Sequence, residues 1–309
     1  MGLERNHRFD IGIETAYGDG GASPTSMPVF YSDARPKIDL VKNENPVYGG
    51  SLGRNKVFMG KRFVTLPAKF FLKGSGVAGT APEIAKILKM AGLEEVDGVS
   101  DVVYKPRNTG HESGGITLNL DGVQYIIAGA RCEKLTIPIE AGNPVICEAE
   151  FGGKYAAPTA VALSAPTFAD AAVTPPVAES LALTIATKTH IIRNFKLELT
   201  NERGMRESLN SSTGLYQIDI VGRSWGGSFT VEVDADNDIE YWTNLMAATE
   251  MAVASTGFGA AGNKIAISTS TLQIEDVVPG VSEGQNVYEV TFRINKHATA
   301  ASELSITFT

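Results

Sequence analysis

Four histidines, two cysteines and one close pair of glutamates are the residues of this 309-residue chain whose chemistry could reach beyond packing. His7, His111, His190 and His297 are scattered, and none falls in HExxH or another metal-ligand spacing, so no metal site is expected. The run GFGAAG at 257–262 fits G-x-G-x-x-G in letters. It follows a predicted helix and precedes a predicted strand, whereas a dinucleotide site needs strand, glycine loop, then helix. It is therefore read as a flexible connection. No G-x-S-x-G, Walker lysine loop or C-x-x-C occurs. Glu148 and Glu150 share one face of a predicted strand and are in principle a carboxylate pair, but with no pocket signature around them they read as a solvated strand face. Cys132 and Cys147 flank a predicted hairpin turn at Ala141-Gly142-Asn143. Counting back from that turn sets Cys132 opposite a residue near 152, so two buried thiols are expected and a cross-strand disulfide is not. No catalytic residue and no cofactor is expected, and the chain is read as a non-enzyme.

Composition narrows the class. With 32 glycines, 20% charged residues and many short alternating runs, the chain reads as β-rich and globular. A formal charge of −8 argues against wrapping DNA, which needs clustered Lys and Arg to neutralise phosphates. The stretch MGLERNHRFDIG has no apolar leader core, and no long apolar run occurs, so no membrane contact is expected and the chain is expected to remain in the cytoplasm where it is made.

The elements that position these residues follow a plan that occurs twice. Residues 37–91 and 196–249 each open on a lysine-led alternating strand, Ile38 and Leu40 against Leu197 and Leu199, which runs into an Asn-Glu pair, Asn43-Glu44 against Asn201-Glu202. A polar excursion follows in each, then an apolar stretch opened by Lys61-Arg62 or Gly222-Arg223 and ending in FFLKG or FTVEVD. Each copy then turns into one amphipathic helix. The copies keep step within a few residues, which indicates a duplication. It divides the chain into a first domain with an N-terminal arm (1–155), an Ala/Pro/Thr-rich linker (156–185) and a second domain (186–309).

Several local expectations follow. The arm carries Phe9, Ile11, Ile13, Tyr17, Phe30 and Tyr31, too apolar for a free tail. The first helix has Pro82 in its first turn, Ile84, Ile87, Leu88 and Ala91 on one side, and stops at Gly92. The second begins after Asp236 or Asp238 and sets Ile239, Trp242, Leu245, Met246 and Thr249 along one side, with Trp242 in the core. Hairpin connections are normally about two to five residues. The two excursions are longer, one with Tyr48 and Arg54, the other with Arg203 and Arg206, and a role in contact is expected of both. Each copy ends in a hairpin, near 135–151 and 272–294, the second with a turn four residues longer. Along these hairpins Glu148, Glu150 and Glu289 fall on a polar face opposite an apolar one.

On the strand, long loop, strand and helix unit at 37–91 and 196–249, the GRSWGGSFTVEVDADND segment, and the terminal hairpins, the sequence resembles the tail tube proteins of long-tailed bacteriophages, in the version whose fold occurs twice in one chain. The resemblance implies a mainly β fold of two tandem β-sandwich or half-barrel domains, each with a flanking helix, a fold shared by the Hcp rings of type VI secretion systems. It implies a virion protein, assembled in the host cytoplasm, whose rings stack into a tube for DNA ejection. Six copies of the fold make a ring, so three duplicated chains would suffice. The implied partners are further copies of itself, the tape measure, the baseplate or tip, and the terminator, with double-stranded DNA passing without specific binding. Geometry is compatible: about 24 strands at roughly 4.8 Å each and a tilt of about 40° give a barrel roughly 48 Å across, leaving about 30 Å inside. In such a ring Glu148, Glu150 and Glu289 would face the lumen and repel phosphates, and Tyr48, Arg54, Arg203 and Arg206 would meet the next ring. The alternatives are another tail ring (terminator or distal tail), which abundance in virions separates, and a β-sandwich carbohydrate- or receptor-binding protein, which would expose aromatic platforms.

Overall fold

The computed structural model describes residues 6–21, 24–30, 33–47, 53–233, 238–299 and 302–309. Its elements are β1 (His7–Ile13), β2 (Thr25–Ser26), β3 (Lys37–Asn43), β4 (Phe58–Phe71), α1 (Ala85–Met90), β5 (Leu93–Asp97), β6 (Val102–Pro106), β7 (Gly114–Leu120), β8 (Val123–Glu140) and β9 (Ile146–Tyr155). There follow β10 (Thr159–Ala160), β11 (Thr184–Ile185), β12 (Lys188–Thr189), β13 (Ile192–Glu207), β14 (Leu215–Glu232), α2 (Asp238–Ala247), β15 (Glu250–Ala254), β16 (Ile265–Ser282), β17 (Gln285–Ile294) and β18 (Ser305–Phe308). The fold is mainly β, as its alternating runs predict.

One antiparallel array of eight strands runs through the molecule in the order β3, β4, β9, β8, β13, β14, β17, β16. Its middle junction is β8 against β13, with Leu135 opposite Leu199 and Ile137 opposite Leu197. Period-two alternation sends Leu66, Phe151, Leu135, Leu199, Phe229 and Val290 to one buried face. There Phe195, Phe229 and Phe292 gather with ring centroids 5.4–6.4 Å apart. Each such buried ring contributes about 1.5–3 kcal/mol.

A second layer covers that face because β8 and β16 are long enough to serve twice. The early part of β8 pairs with β7, which carries β1, and β2 lies beyond. The early part of β16 pairs with β15 and β18, and β18 continues to β6 and β5. β8 changes course at a register shift between Ala128 and Arg131. Gly129 sits there at φ 62°, where a Cβ would stand 2.5 Å from the Tyr17 ring.

The arm packs on its own chain: β1 pairs with β7 and buries Phe9 and Ile11, while Tyr31 lies outside the described residues. Helix α1 buries Ile84, Ile87, Leu88 and Ala91, and Gly92 follows at φ 85°, as predicted. Cys132 and Cys147 are buried free thiols, and burial pushes both well above the ordinary thiol range.

Three details differ from expectation. Among the described side chains of α2, which leave out Ile239, the buried one is Tyr241, held among His190 and Phe229, while Trp242 remains 37% exposed and meets Tyr288 edge-on. The second terminal hairpin turns on only Glu283 and Gly284, both at positive φ, so its added residues lengthen the strands and not the turn. The GFGAAG run joins β15 to β16 and is packed: Phe258 is 1% exposed and exchanges backbone hydrogen bonds with Ile265, and Gly76 N–H donates to the Gly262 carbonyl. It is therefore not a loose connection.

Candidate assembly surfaces

The face of the array opposite the core is polar across both halves. One row crosses seven strands: Lys69, Glu148, Thr136, Glu198, Gly226, Arg293 and Gln273, each opposite the next. A second sets Glu150 between Pro67 and Lys134, and a third runs from Glu140 through Asn194 and Thr230 to Glu289. The three sequence-predicted acids, Glu148, Glu150 and Glu289, are thus on one sheet face, all exposed.

Sequence reasoning missed the bases among them. Lys69 Nζ lies 2.9 Å from Glu148 Oε1, and its hydrogen bond to that carboxylate raises the lysine's pKa. Lys196 Nζ lies 2.7 Å from Glu198 Oε1, and Arg293 donates to Gln273 Oε1 at 2.9 and 3.2 Å. The face is a mixture of signs. Strand parity would have found it, had the opposite strands been known.

The long excursions become hairpin arms. β3 and β4 pair out to Asn43 and Phe58 and leave 44–57 as their connection. β13 and β14 pair out to Glu207 and Leu215, so Arg203 and Arg206 lie on strand β13 and not in a loop. Arg203 Nη1 is 2.6 Å from Glu133 Oε1 and its guanidinium is 5.2 Å from the Phe63 ring centroid. Burial raises the pKa of Glu133 against the pull of Arg203. Arg206 is 3.8 Å from Asp219 Oδ2 and 5.3 Å from the Tyr216 centroid. Arg54 is exposed ahead of β4, and Tyr48 lies outside the described residues. Of the four predicted contact residues, Arg203 and Arg206 therefore share strand β13, three residues apart.

The two arms touch. Arg62 N–H donates to the Thr213 carbonyl at 3.3 Å, and Lys61 pairs with Glu207. Exposed apolar side chains concentrate on the first arm: Leu40, Val41, Val47, Val57, Phe58 and Met59.

A buried polar network, with no signal in the sequence, locks the halves beneath these arms. Arg131 on β8 is 3.3 Å from Asp219 on β14 and donates to the His111 carbonyl at 3.1 Å. Ile218 N–H donates to the Tyr17 hydroxyl at 2.8 Å, and burial pushes that hydroxyl up to about 12. Glu14 accepts hydrogen bonds from Gly18, Gly20, Gly129 and Ser113, fixing the turn that presents Tyr17.

Among the described residues no group of three or more His, Cys, Asp or Glu is placed to hold a metal ion, and no helix is long and apolar enough to cross a membrane. A family model described as phage tail tube protein matches residues 6–309. A search of the curated proteins found no match.

Proposed function

The chain belongs to the phage tail tube protein family, a structural component of the virion tail, and on that premise we propose that it is the major tail tube subunit, three copies closing a ring and rings stacking into a DNA channel. The observation that carries this reading is the eight-stranded array with one apolar and one polar face and, among the described residues, an unpaired strand edge at each end. Joining such arrays edge to edge pairs the strands left unpaired at each end. Three such arrays supply about 24 strands, the number for which a barrel clears a DNA duplex.

The duplication is part of the proposal. A hairpin followed by a helix occurs as β3, β4, α1 and again as β13, β14, α2, and the array order β3, β4, β9, β8 is echoed by β13, β14, β17, β16. The segment between the halves, 156–185, is anchored on both: Lys73 Nζ donates to the Asp170 carbonyl at 2.6 Å, and Thr184 and Ile185 pair with Ala254 and Val253 of β15. In the assembled ring the polar face with Glu148, Glu150 and Glu289 lines the channel, and its bases keep the wall from being a simple repulsive surface. The arms carrying Tyr48, Arg54, Arg203 and Arg206 face the adjacent ring, and the tape measure, tip and terminator meet the same surfaces at the tube's interior and ends. Double-stranded DNA passes without a specific site.

Electron microscopy of the purified protein at low and high concentration tests this. Rings or tubes with a central hole are the expected result. Dispersed monomers at every concentration, also with tail-tip components added, would overturn it.

A further inference from the structure

The ring reading leaves unspecified which backbone edges meet, and in what register. We propose, resting on that reading, that β3 of one copy pairs antiparallel with residues 276–282 of β16 in the next, with Val41 opposite Val278, and that α2 covers the seam.

Among the described residues the array has two open edges. β3 pairs with β4 alone, and β16 beyond Gln273, its last residue joined to β15, pairs with β17 alone. Their hydrogen-bonding directions can be read from neighbours. Arg62, opposite Leu40, donates its N–H away from β3 to Thr213, so Leu40 and Ile38 turn their N–H and C=O groups outward. Val233 N–H donates to Asn286, so Val287 and Glu289 face β16, and Val277, Pro279 and Val281 turn their backbone groups outward, the Val277 N–H being held by Asp276 Oδ1 at 2.9 Å until a neighbouring strand takes it. On both edges the outward residues are those whose side chains belong to the apolar face. Pairing them therefore aligns both hydrogen bonds and faces, as β8 and β13 already do inside the chain.

Side chains then choose among registers that differ by two. Val41 opposite Val278 overlaps all of β3 with 276–282 and joins two exposed valines, 44% and 48% accessible. It also sets Val281, 72% exposed, beside Ile38. A slip of two brings Asp39 against Val278, and a slip of four brings Asp39 against Asp276, which is repulsive. Pro279 offers a carbonyl and no N–H, so this edge resists pairing with an arbitrary strand. Above the seam α2 packs on β16 as α1 packs on β8, and its bare Trp242 and Met246 lie over the neighbouring copy's Ile38 and Leu40.

The full chain carrying Val41→Cys with Val278→Cys tests the register. Val41 and Val278 form a non-hydrogen-bonded pair, with Cα atoms about 4.5 Å apart, within disulfide range. Mild oxidation should give a reducible covalent trimer, whereas the slipped pair Asp39→Cys with Val278→Cys should give none. Cross-linking of the slipped pair instead, with rings still visible, would overturn the register and leave the ring standing. Absence of rings in the unmodified protein would overturn the ring itself. Should cysteine variants fail to assemble, charge repeats the test: Val41→Lys with Val278→Lys should abolish rings, and Val41→Lys with Val278→Glu should restore them. Equal assembly of both charge pairs would overturn the proposal.

Discussion

Asn201 on β13 donates from Nδ2 to the carbonyl of Ala91, 2.9 Å away at the end of α1 and 110 residues earlier in the chain. The same nitrogen donates to the Cys132 carbonyl at 2.9 Å, so one buried amide ties a strand of the second half to a helix and a strand of the first. Asn201→Ala removes the donor from two carbonyls that water cannot reach. A loss of about 1–3 kcal/mol is expected, measured as a lower urea midpoint with unchanged slope. A variant within experimental error of the parent would show that the halves do not depend on this contact.

Arg131 and Asp219 form the second tie between the halves. Asp219→Ala leaves the buried guanidinium without its counter-ion, and a loss of about 3 kcal/mol is expected. Arg131→Met in the same chain should recover part of it, which a double-mutant cycle measures.

Acid should loosen the same region. Burial holds the His111 imidazole below its ordinary pKa, and Arg131, Arg223 and Arg107 nearby act in the same direction, against a hydrogen bond between its Nε2 and the Arg107 carbonyl. The unfolded chain takes up a proton near pH 6.5 that the folded chain refuses, so this stabilisation is present above about 6.5 and lost as pH falls below it. Between about pH 7 and 5 the thermal midpoint of the parent should fall more than that of His111→Gln. Parallel curves would remove His111 from the account.

The polar face makes a prediction about ejection. Glu148→Lys with Glu150→Lys removes the acids opposite Lys69 and Lys134, leaving Lys69 with Asp33 alone at 4.0 Å, and turns two adjoining rows positive. Phage carrying tails of this variant should eject DNA more slowly, with the defect shrinking as salt rises. An unchanged ejection rate would mean that these residues do not meet DNA.

Alternation made the strands legible, and with them the buried face, the α1 stripe, the burial of two unlinked cysteines and the common face of Glu148, Glu150 and Glu289. These are period-two or period-3.6 properties of neighbouring residues. What stayed hidden was set by residues far apart in sequence. Lys69 is recognisable as Glu148's partner only once β4 lies beside β9, and Tyr241 displaces Trp242 from the core because His190 and Phe229 are already there. Arg203 and Arg206 looked like loop residues because polarity alone does not distinguish a solvated strand arm from a turn.

Among the described residues strand pairing joins the two halves at two separate places, β8 against β13 in the eight-stranded array and β6 against β18 in the covering layer, in addition to the side-chain ties of Asn201 and Arg131. A hinge needs a single line about which both sides turn, and two attachments in different layers leave no such line. Each chain should therefore behave as one stiff plate. Whatever curvature a flexing tail requires must arise between plates, so its bending rigidity is set by the contacts between copies and by nothing inside them.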